Sequence, residues 1–260
     1  MPLLEQGLVL RHIQLHIDIF ELEIMAPSIS CEGQPGQFIH IKTGINHDPL
    51  LRRPLSIYDL DKEKGSITLL YKVVGRGTSL LSRLRIKDSV DLMGPLGKGF
   101  SISEKTENNL LVGGGIGVAP LIYLARVLKE KNKNVRLLHG AEDHCQLLAA
   151  EKIEKMGVDY LIATADGSAG FKGLVTELMY MKVKPSKIDY IYTCGPEAMM
   201  AAVQAFAKKH GIPGEVSLEE YMACGVGACL GCARKLKAED DNYVKVCKDG
   251  PVFNMDELEL

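Results

Sequence analysis

Four cysteines near the C-terminus constrain this chain more than any other feature. They read Cys224-x4-Cys229-x2-Cys232-x14-Cys247. Three thiols crowd one loop, and the fourth arrives from further along the chain. Between the first three stand Gly225, Val226, Gly227, Ala228, Leu230 and Gly231. Small residues let a backbone wrap closely around an inorganic core and aim N–H groups at its sulfur atoms. The fold must therefore bring residues 224–232 and 247 together.

The first three cysteines have the spacing of plant-type 2Fe-2S ferredoxins. Cys224, Cys229, Cys232 and Cys247 are therefore predicted to ligate a 2Fe-2S cluster. Zinc also takes four thiolates, but usually from pairs of short Cys-x2-4-Cys knuckles, and no histidine lies in the segment. Disulfides are the third reading. The last gap is shorter than in plant-type ferredoxins, so a whole ferredoxin domain does not fit. The cysteines are predicted to ride on a small module that leans on something else.

A chain of 260 residues can form two ordinary domains plus an appendage. Its net charge of -2 gives no electrostatic reason to bind nucleic acid or an anionic membrane surface. Glu5 and Arg11 interrupt the N-terminal apolar stretch, so no export signal is expected. The longest uncharged run, Asn108 to Ala125, contains four glycines and Pro120. That composition suits a buried strand–turn–helix rather than a membrane span. Cys31, Cys145 and Cys194 are scattered and form no disulfide framework, so a reducing cytoplasm is the expected setting.

Residues 1–102 read as β structure. Strand-length apolar or alternating segments run Gly7 to Gln14, Ile17 to Met25, Gln37 to Ile41, Ser66 to Val74 and Ser89 to Met93. Six or so short strands of this kind predict a small antiparallel barrel. Over 103–214, strand and helix patterns alternate, which predicts a doubly wound parallel sheet. Residues 215–260 are left for the cysteine module. The expected fold class is multidomain α+β: an antiparallel β-barrel domain, a doubly wound α/β domain and a small C-terminal iron–sulfur module.

Several segments can meet anions. Gly115-Ile116-Gly117-Val118-Ala119-Pro120 follows a predicted strand and opens a helix, so its backbone can approach a pyrophosphate at the helix N-terminus. Pro120 stands where the dehydrogenase fingerprint carries glycine. Arg52-Arg53-Pro54-Leu55-Ser56 offers a guanidinium that can pair bidentately with phosphate. Gly75-Arg76-Gly77-Thr78-Ser79 offers backbone N–H groups at the start of a helix predicted over Ser79 to Arg85. Gly94-Pro95-Leu96-Gly97 reads as a turn closing the barrel.

In order and spacing, RPLS, GRGTS, GPLG, GGGIGVAPL and TCGPEAM resemble the ferredoxin reductase family over about residues 5 to 210. The resemblance implies an N-terminal FAD barrel followed by a nicotinamide-nucleotide domain. It implies that Arg53, Pro54, Leu55 and Ser56 hold the flavin, with Leu70, Tyr71 and Lys72 on the next strand. Gly77 and Thr78 would meet its pyrophosphate, and Gly115 and Gly117 the NAD(H) phosphates. Cys194, Gly195 and Pro196 would lie by the nicotinamide. Cys194 has a second reading, as a small buried hydrophobe.

The C-terminal segments EYMACGVGACLGCARK and VCKDGPVF, with ADGSAGFKG at 165–173, narrow this further. They resemble the electron-transfer subunits of NAD-dependent, B-type dihydroorotate dehydrogenases, which serve pyrimidine biosynthesis. Related complexes, NADH-dependent ferredoxin:NADP oxidoreductases and anaerobic sulfite reductases, use similar modules. A redox sensor, in which a cluster switches a binding surface, is a further alternative that needs no nucleotide site. The resemblance implies an FMN-containing, dihydroorotate-oxidising (β/α)8 partner, in a heterotetramer of two of each subunit. No catalytic acid, base or nucleophile is expected. The seven histidines are unclustered and read as structural or surface residues. Asp166, Glu142 and Asp143, with Lys172 as the one nearby cation, predict a preference for NAD(H) over NADP(H).

Overall fold

A computed structural model describes residues 2–44, 48–236 and 243–260. The chain divides into two compact units, and both are discontinuous in sequence. The first comprises Met1–Gly99 with Glu219–Arg234 and Tyr243–Pro251; the second comprises Phe100–Leu218 with Lys235–Asn242 and Val252–Leu260.

In the first unit the chain forms β1 (Leu3–His16), β2 (Ile19–Met25), α1 (Pro27–Glu32), β3 (Phe38–Ile41), β4 (Arg53–Asp61), β5 (Ser66–Lys72), α2 (Arg76–Leu81) and β6 (Ser89–Leu96). The six strands close into a barrel in the order β1-β2-β5-β4-β3-β6. Closure depends on the length of β1. Its first half pairs with β6 and its second half with β2, with register shifts that bend it between them. Burial alternates strictly along β6, placing Val90, Leu92, Gly94 and Leu96 inside. Residues Gly94 to Leu96, expected as a turn, instead continue this strand. Gly94 pairs with Leu3 and Leu96 with Phe38, and a bulge opposite Phe38–His40 accommodates the proline. Helix α2 begins at Arg76, earlier than expected, because the Thr78 side chain caps the turn at Gly75.

The second unit contains β7 (Asn108–Gly114), α3 (Ala119–Glu130), β8 (Asn134–Ala141), α4 (Ala150–Lys155), β9 (Asp159–Thr164), β10 (Phe171–Lys172), α5 (Val175–Lys182), β11 (Tyr190–Cys194), α6 (Glu197–His210) and β12 (Gly214–Ser217). The chain then runs through β13 (Ala233–Lys235), β14 (Tyr243–Lys245), α7 (Val246–Asp249) and β15 (Val252–Asn254). The sheet order is β10-β9-β8-β7-β11-β12-β15. All pairings are parallel except β12 with β15. Central β7 is apolar on both faces, with Leu110, Leu111 and Val112 fully buried. On α3, Leu121, Ile122, Leu124 and Leu128 are fully buried, so truncating one to Ala costs about 2–5 kcal/mol.

The chain winds from β7 outward through β8 and β9, then returns to place β11 on the other side of β7. The switch point therefore lies between the carboxyl ends of β7 and β11, where open α/β sheets bind ligands. Both ends of the C-terminal segment are tied down. In the first unit the Lys98 N–H donates to Gly250 O at 2.6 Å. In the second, Gln204 Nε2 donates to the carbonyls of Met255 and Leu258.

Candidate functional site

The barrel is split at one place. Strands β4 and β5 pair from Asp61/Ser66 to Ile57/Leu69 and then part. Beyond that point Arg53–Ser56 pair only with β3, and Leu70–Lys72 pair only with β2. Two strand edges thus face a common slot with N–H and C=O groups that no ladder uses. Residues Arg53, Pro54, Leu55 and Ser56 are all partly exposed, whereas a strand closed on one face would alternate. Leu70 and Tyr71 are buried. The Tyr71 hydroxyl meets His12 Nε2 at 2.9 Å while His12 Nδ1 donates to Leu84 O, and Lys72 pairs with Asp18 at 3.3 Å. What this edge offers the slot is backbone.

Arg53 joins the slot to the GRGTS turn. Its guanidinium lies directly on the Cα of Gly77, where any side chain would collide with Nε, Cζ and Nη2. The Thr78 hydroxyl accepts from the N–H groups of Val74 and Gly75 and donates to Gly75 O. It is therefore committed to the turn. The first-turn N–H groups of α2, which lack intrahelical acceptors, remain to meet an anion beside Arg53. A slot edged by unpaired backbone, with a guanidinium at one end, fits a flavin dinucleotide. Arg52 serves the barrel instead: Nη2 contacts both Asp91 carboxylate oxygens at 2.9 Å and Nη1 donates to Asp91 O.

The cysteine loop belongs to this same unit. Its backbone points at its sulfurs. Cys224 Sγ receives the N–H groups of Val226 and Ala228 at 3.5 and 3.3 Å. Gly227 N–H reaches Cys247 Sγ at 3.2 Å, Gly231 N–H reaches Cys229 Sγ at 3.4 Å, and Cys247 N–H reaches Cys232 Sγ at 3.4 Å. The Val246 N–H to Cys232 O bond brings the fourth cysteine to the third. The thiols fall as two neighbouring pairs, Cys224 with Cys229 and Cys232 with Cys247. Among the described residues no three His, Cys, Asp or Glu side chains converge to hold a single ion. Two thiol pairs under a canopy of N–H donors suit a centre with two irons better than one tetrahedral zinc.

The thiols differ in acidity. Burial opposes ionisation of Cys224, but N–H groups from Val226, Cys229 and Ala228, with the Cys229 thiol, lower it to about 6. Burial, then the Cys232 thiol, push Cys247 up to about 12. A coordinated cation is what would draw off that proton.

In the second unit three glycine backbones meet at the switch point. A Cβ on Gly117 would stand 2.6 Å from Gly195 Cα, and one on Gly195 would stand 2.9 Å from Gly114 N. Cys194 is buried at the end of β11, and Thr193 Oγ1 donates to Val112 O across the strands. Pro196 and Met199 close over Gly114. Gly115 differs: its φ is +54° and nothing lies within 4 Å of its Cβ position. That open cradle precedes α3, whose Pro120 opens the first turn, and it fits a nucleotide phosphate.

His139 holds this cradle in place, a role its isolated position in the sequence did not reveal. The ring is fully buried. Its Nε2 lies 3.2 Å from Gly115 O and its Nδ1 lies 3.0 Å from Tyr160 Oη. A carbonyl can only accept, so Nε2 carries the proton and Tyr160 donates to Nδ1. Burial lowers its pKa to about 4, against the pull of the Gly115 carbonyl. Nearby, Asp143 accepts from Cys145 N–H and Gln146 N–H and so caps its own turn. Asp166 accepts from the Ser168 hydroxyl and N–H at 2.7 and 2.8 Å. Those bonds hold its carboxyl below the usual range.

His40 is the second buried histidine among the described residues. It is fully buried on β3, and neither ring nitrogen has a hydrogen-bond partner. Burial, then the Arg52 charge, lower its pKa to about 4.

A split barrel, a switch-point nucleotide cradle and a loop of paired thiols define a ferredoxin-reductase-like flavoprotein with an added iron–sulfur module. Three family models match in the same order: the oxidoreductase FAD-binding domain over residues 10–100, the oxidoreductase NAD-binding domain over 111–205, and the iron–sulfur cluster binding domain of dihydroorotate dehydrogenase B over 219–259. Two relatives carry the name dihydroorotate dehydrogenase B (NAD(+)), electron transfer subunit. The one from Desulforamulus reducens is 42% identical over 90% of each chain, and the one from Geobacillus sp. is 40% identical over 98% of each. The chain belongs to the family of dihydroorotate dehydrogenase B electron transfer subunits. It is also similar to the solved structure of an NADH-dependent reduced ferredoxin-NADP oxidoreductase, with a TM-score of 0.87, 33% identity and coverage of 98% of this chain and 90% of that one. A ferredoxin reductase of carbazole 1,9a-dioxygenase shares the fold, with a TM-score of 0.70 at 20% identity over 81% of this chain and 67% of that one. Among the described residues no helix is long and apolar enough to cross a membrane.

Proposed function

We propose that this chain carries electrons between NAD(H) and a dihydroorotate-oxidising, FMN-containing partner subunit in pyrimidine biosynthesis. One observation carries the reading: a single compact unit holds both the backbone-edged slot and the four-cysteine loop. FAD bound in that slot supplies the conversion between a hydride's electron pair and the single electrons that a 2Fe-2S cluster handles. The protein's share is placement. Arg53 and the first turn of α2, including Gly77 and Thr78, hold the pyrophosphate. Pro54, Leu55, Ser56 and the Leu70–Lys72 edge hold the ring. Cys224, Cys229, Cys232 and Cys247 would hold the cluster. Gly115 and Gly117 admit the NAD(H) phosphates, and Cys194, Gly195 and Pro196 form the floor beside them. No acid, base or nucleophile takes part.

Asp166 stays negative at the carboxyl end of β9 and opposes a 2′-phosphate, which favours NAD(H). As working modules we assign 1–102 to FAD, 103–214 to NAD and 215–260 to the cluster, and the cytoplasm as the setting. Around the cluster loop Tyr221, Val226, Leu230 and Tyr243 stand exposed, Tyr221 at 95%. Such a patch suits a partner in a heterotetramer of two of each chain. The likeness to the ferredoxin-NADP oxidoreductase structure favours a second reading, an electron-transfer subunit of that kind of complex.

The isolated chain should oxidise NADH with an artificial acceptor and leave dihydroorotate untouched. With the partner added, dihydroorotate should reduce NAD. Turnover of dihydroorotate by the isolated chain would overturn the division of labour.

A further inference from the structure

Among the described residues His40 is the one side chain with two buried polar atoms that lack a partner. Either neutral tautomer of an imidazole carries one N–H, and a buried donor left unused weakens the fold. The position of the ring gives the donor a purpose. On β3, His40 stands opposite Pro54 of the slot, so the two share a face of the ladder. Its Nδ1–Cε1 edge lies against Gly225, the residue after Cys224. A Cβ there would sit 2.8 Å from both ring atoms, and Gly225 has φ +70°. The loop can approach the ring this closely only because Gly225 has no side chain. The backbone around it already directs N–H groups of Val226, Gly227 and Ala228 at cysteine sulfurs.

We propose that His40 adds a side-chain N–H to this set, donating a hydrogen bond to a sulfur of the iron–sulfur centre held by the four cysteines. The proposal rests on the reading that those cysteines carry such a centre. A donor at sulfur favours the more negative, reduced state, so His40 raises the reduction potential of the centre. It also ties the centre to the strand that lines the flavin slot. His40 is a positioning residue and touches no substrate.

The native chain tests this directly. It is prepared with 14N-histidine in a 15N background, reduced with dithionite and examined by pulsed EPR. A weak histidine 14N coupling on the centre is expected, and its absence overturns the proposal. Two variants add a second readout. His40→Leu should keep the iron content of the parent and lower the midpoint potential of the centre. His40→Asn, which retains an N–H, should recover part of that shift. Full iron with an unchanged potential in His40→Leu, or a shift confined to the flavin, also overturns it. Should His40→Leu fail to fold, the isotope experiment decides. A native chain without iron would refute the ligand reading itself, which is a separate outcome.

Discussion

Among the described residues each of the two units buries one imidazole completely, and they treat it in opposite ways. In the nucleotide unit His139 is satisfied by protein on both sides, with Gly115 O on one nitrogen and Tyr160 Oη on the other. In the flavin and cysteine unit His40 has neither nitrogen satisfied. The nucleotide comes and goes, so its cradle must hold its shape unaided. A resident prosthetic centre can complete its own surroundings and leave protein groups waiting for it. The same contrast runs through the other contacts. The switch point is closed by glycine backbones in contact, whereas the slot and the thiol loop present unpaired strand edges and N–H groups.

The largest effect that contrast predicts is at the thiols. Cys232→Ala removes a proposed ligand that is buried and bonded to the Cys247 N–H. Iron should fall from about two per chain to near zero, because a structural metal centre folds together with its ligands. NADH binding, housed in the other unit, should change little. Metal analysis and nucleotide titration on one preparation would check both halves. Full iron in the variant would remove Cys232 from the ligand set.

Glycine substitutions sharpen the comparison within the nucleotide unit. Gly117→Ala forces a methyl to 2.6 Å from Gly195 Cα and 2.8 Å from Cys194 O. Backbone cannot yield as a side-chain tip can, so the cost should be about 2–3 kcal/mol. Gly115→Ala meets open space at φ +54° and should cost only about 1 kcal/mol of backbone strain. Urea unfolding of the two variants would rank them, and the reverse order would break the account of the switch point.

The adjacent arginines make a matched pair in the flavin unit. Arg53→Ala removes the guanidinium beside Gly77. FAD affinity should drop by about 10- to 100-fold, the range for hydrogen bonds to a charged group. Arg52→Ala breaks the contacts to Asp91 and should weaken the barrel with a smaller effect on FAD. Flavin retention on dilution would separate them, and equal losses would show that both arginines face the pyrophosphate.

Much of this was legible in the sequence because it is local. Cysteine spacing, alternation along β6, and glycines between a strand and a helix all act within a few residues. The unreadable parts depend on contacts between distant segments. The slot arises because β4 changes partner at Ile57, which no local pattern records. The expected turn at Gly94–Leu96 became strand because Leu3 and Phe38 pair with it. Asp143 also caps its own turn, accepting from the N–H groups of Cys145 and Gln146, a role set by the local chain path rather than by its charge alone. His40 and His139 gain meaning only from Gly225 and Gly115, each far away in sequence.

The smallest predicted effect concerns proton uptake by His139. Burial holds its pKa at about 4 in the folded chain, below the ordinary histidine value of about 6.5. As pH falls, the unfolded chain therefore takes up this proton first, and the contribution of the neutral ring to stability shrinks. The contribution is complete above about pH 6.5 and declines toward pH 4, with a slope of up to about 1.4 kcal/mol per pH unit. His139→Gln has no titrating ring, so its stability should fall less steeply across that window, even if it is lower at pH 7 through a poorer bond to Gly115. Urea midpoints at pH 7.5, 6 and 5 (roughly bracketing the window) would show it. The KM for NADH should rise in the variant at every pH while the flavin content stays that of the parent. A variant as acid-sensitive as the parent would mean that the pH response arises elsewhere, and the paired and unpaired imidazoles would no longer be distinguished by their protons.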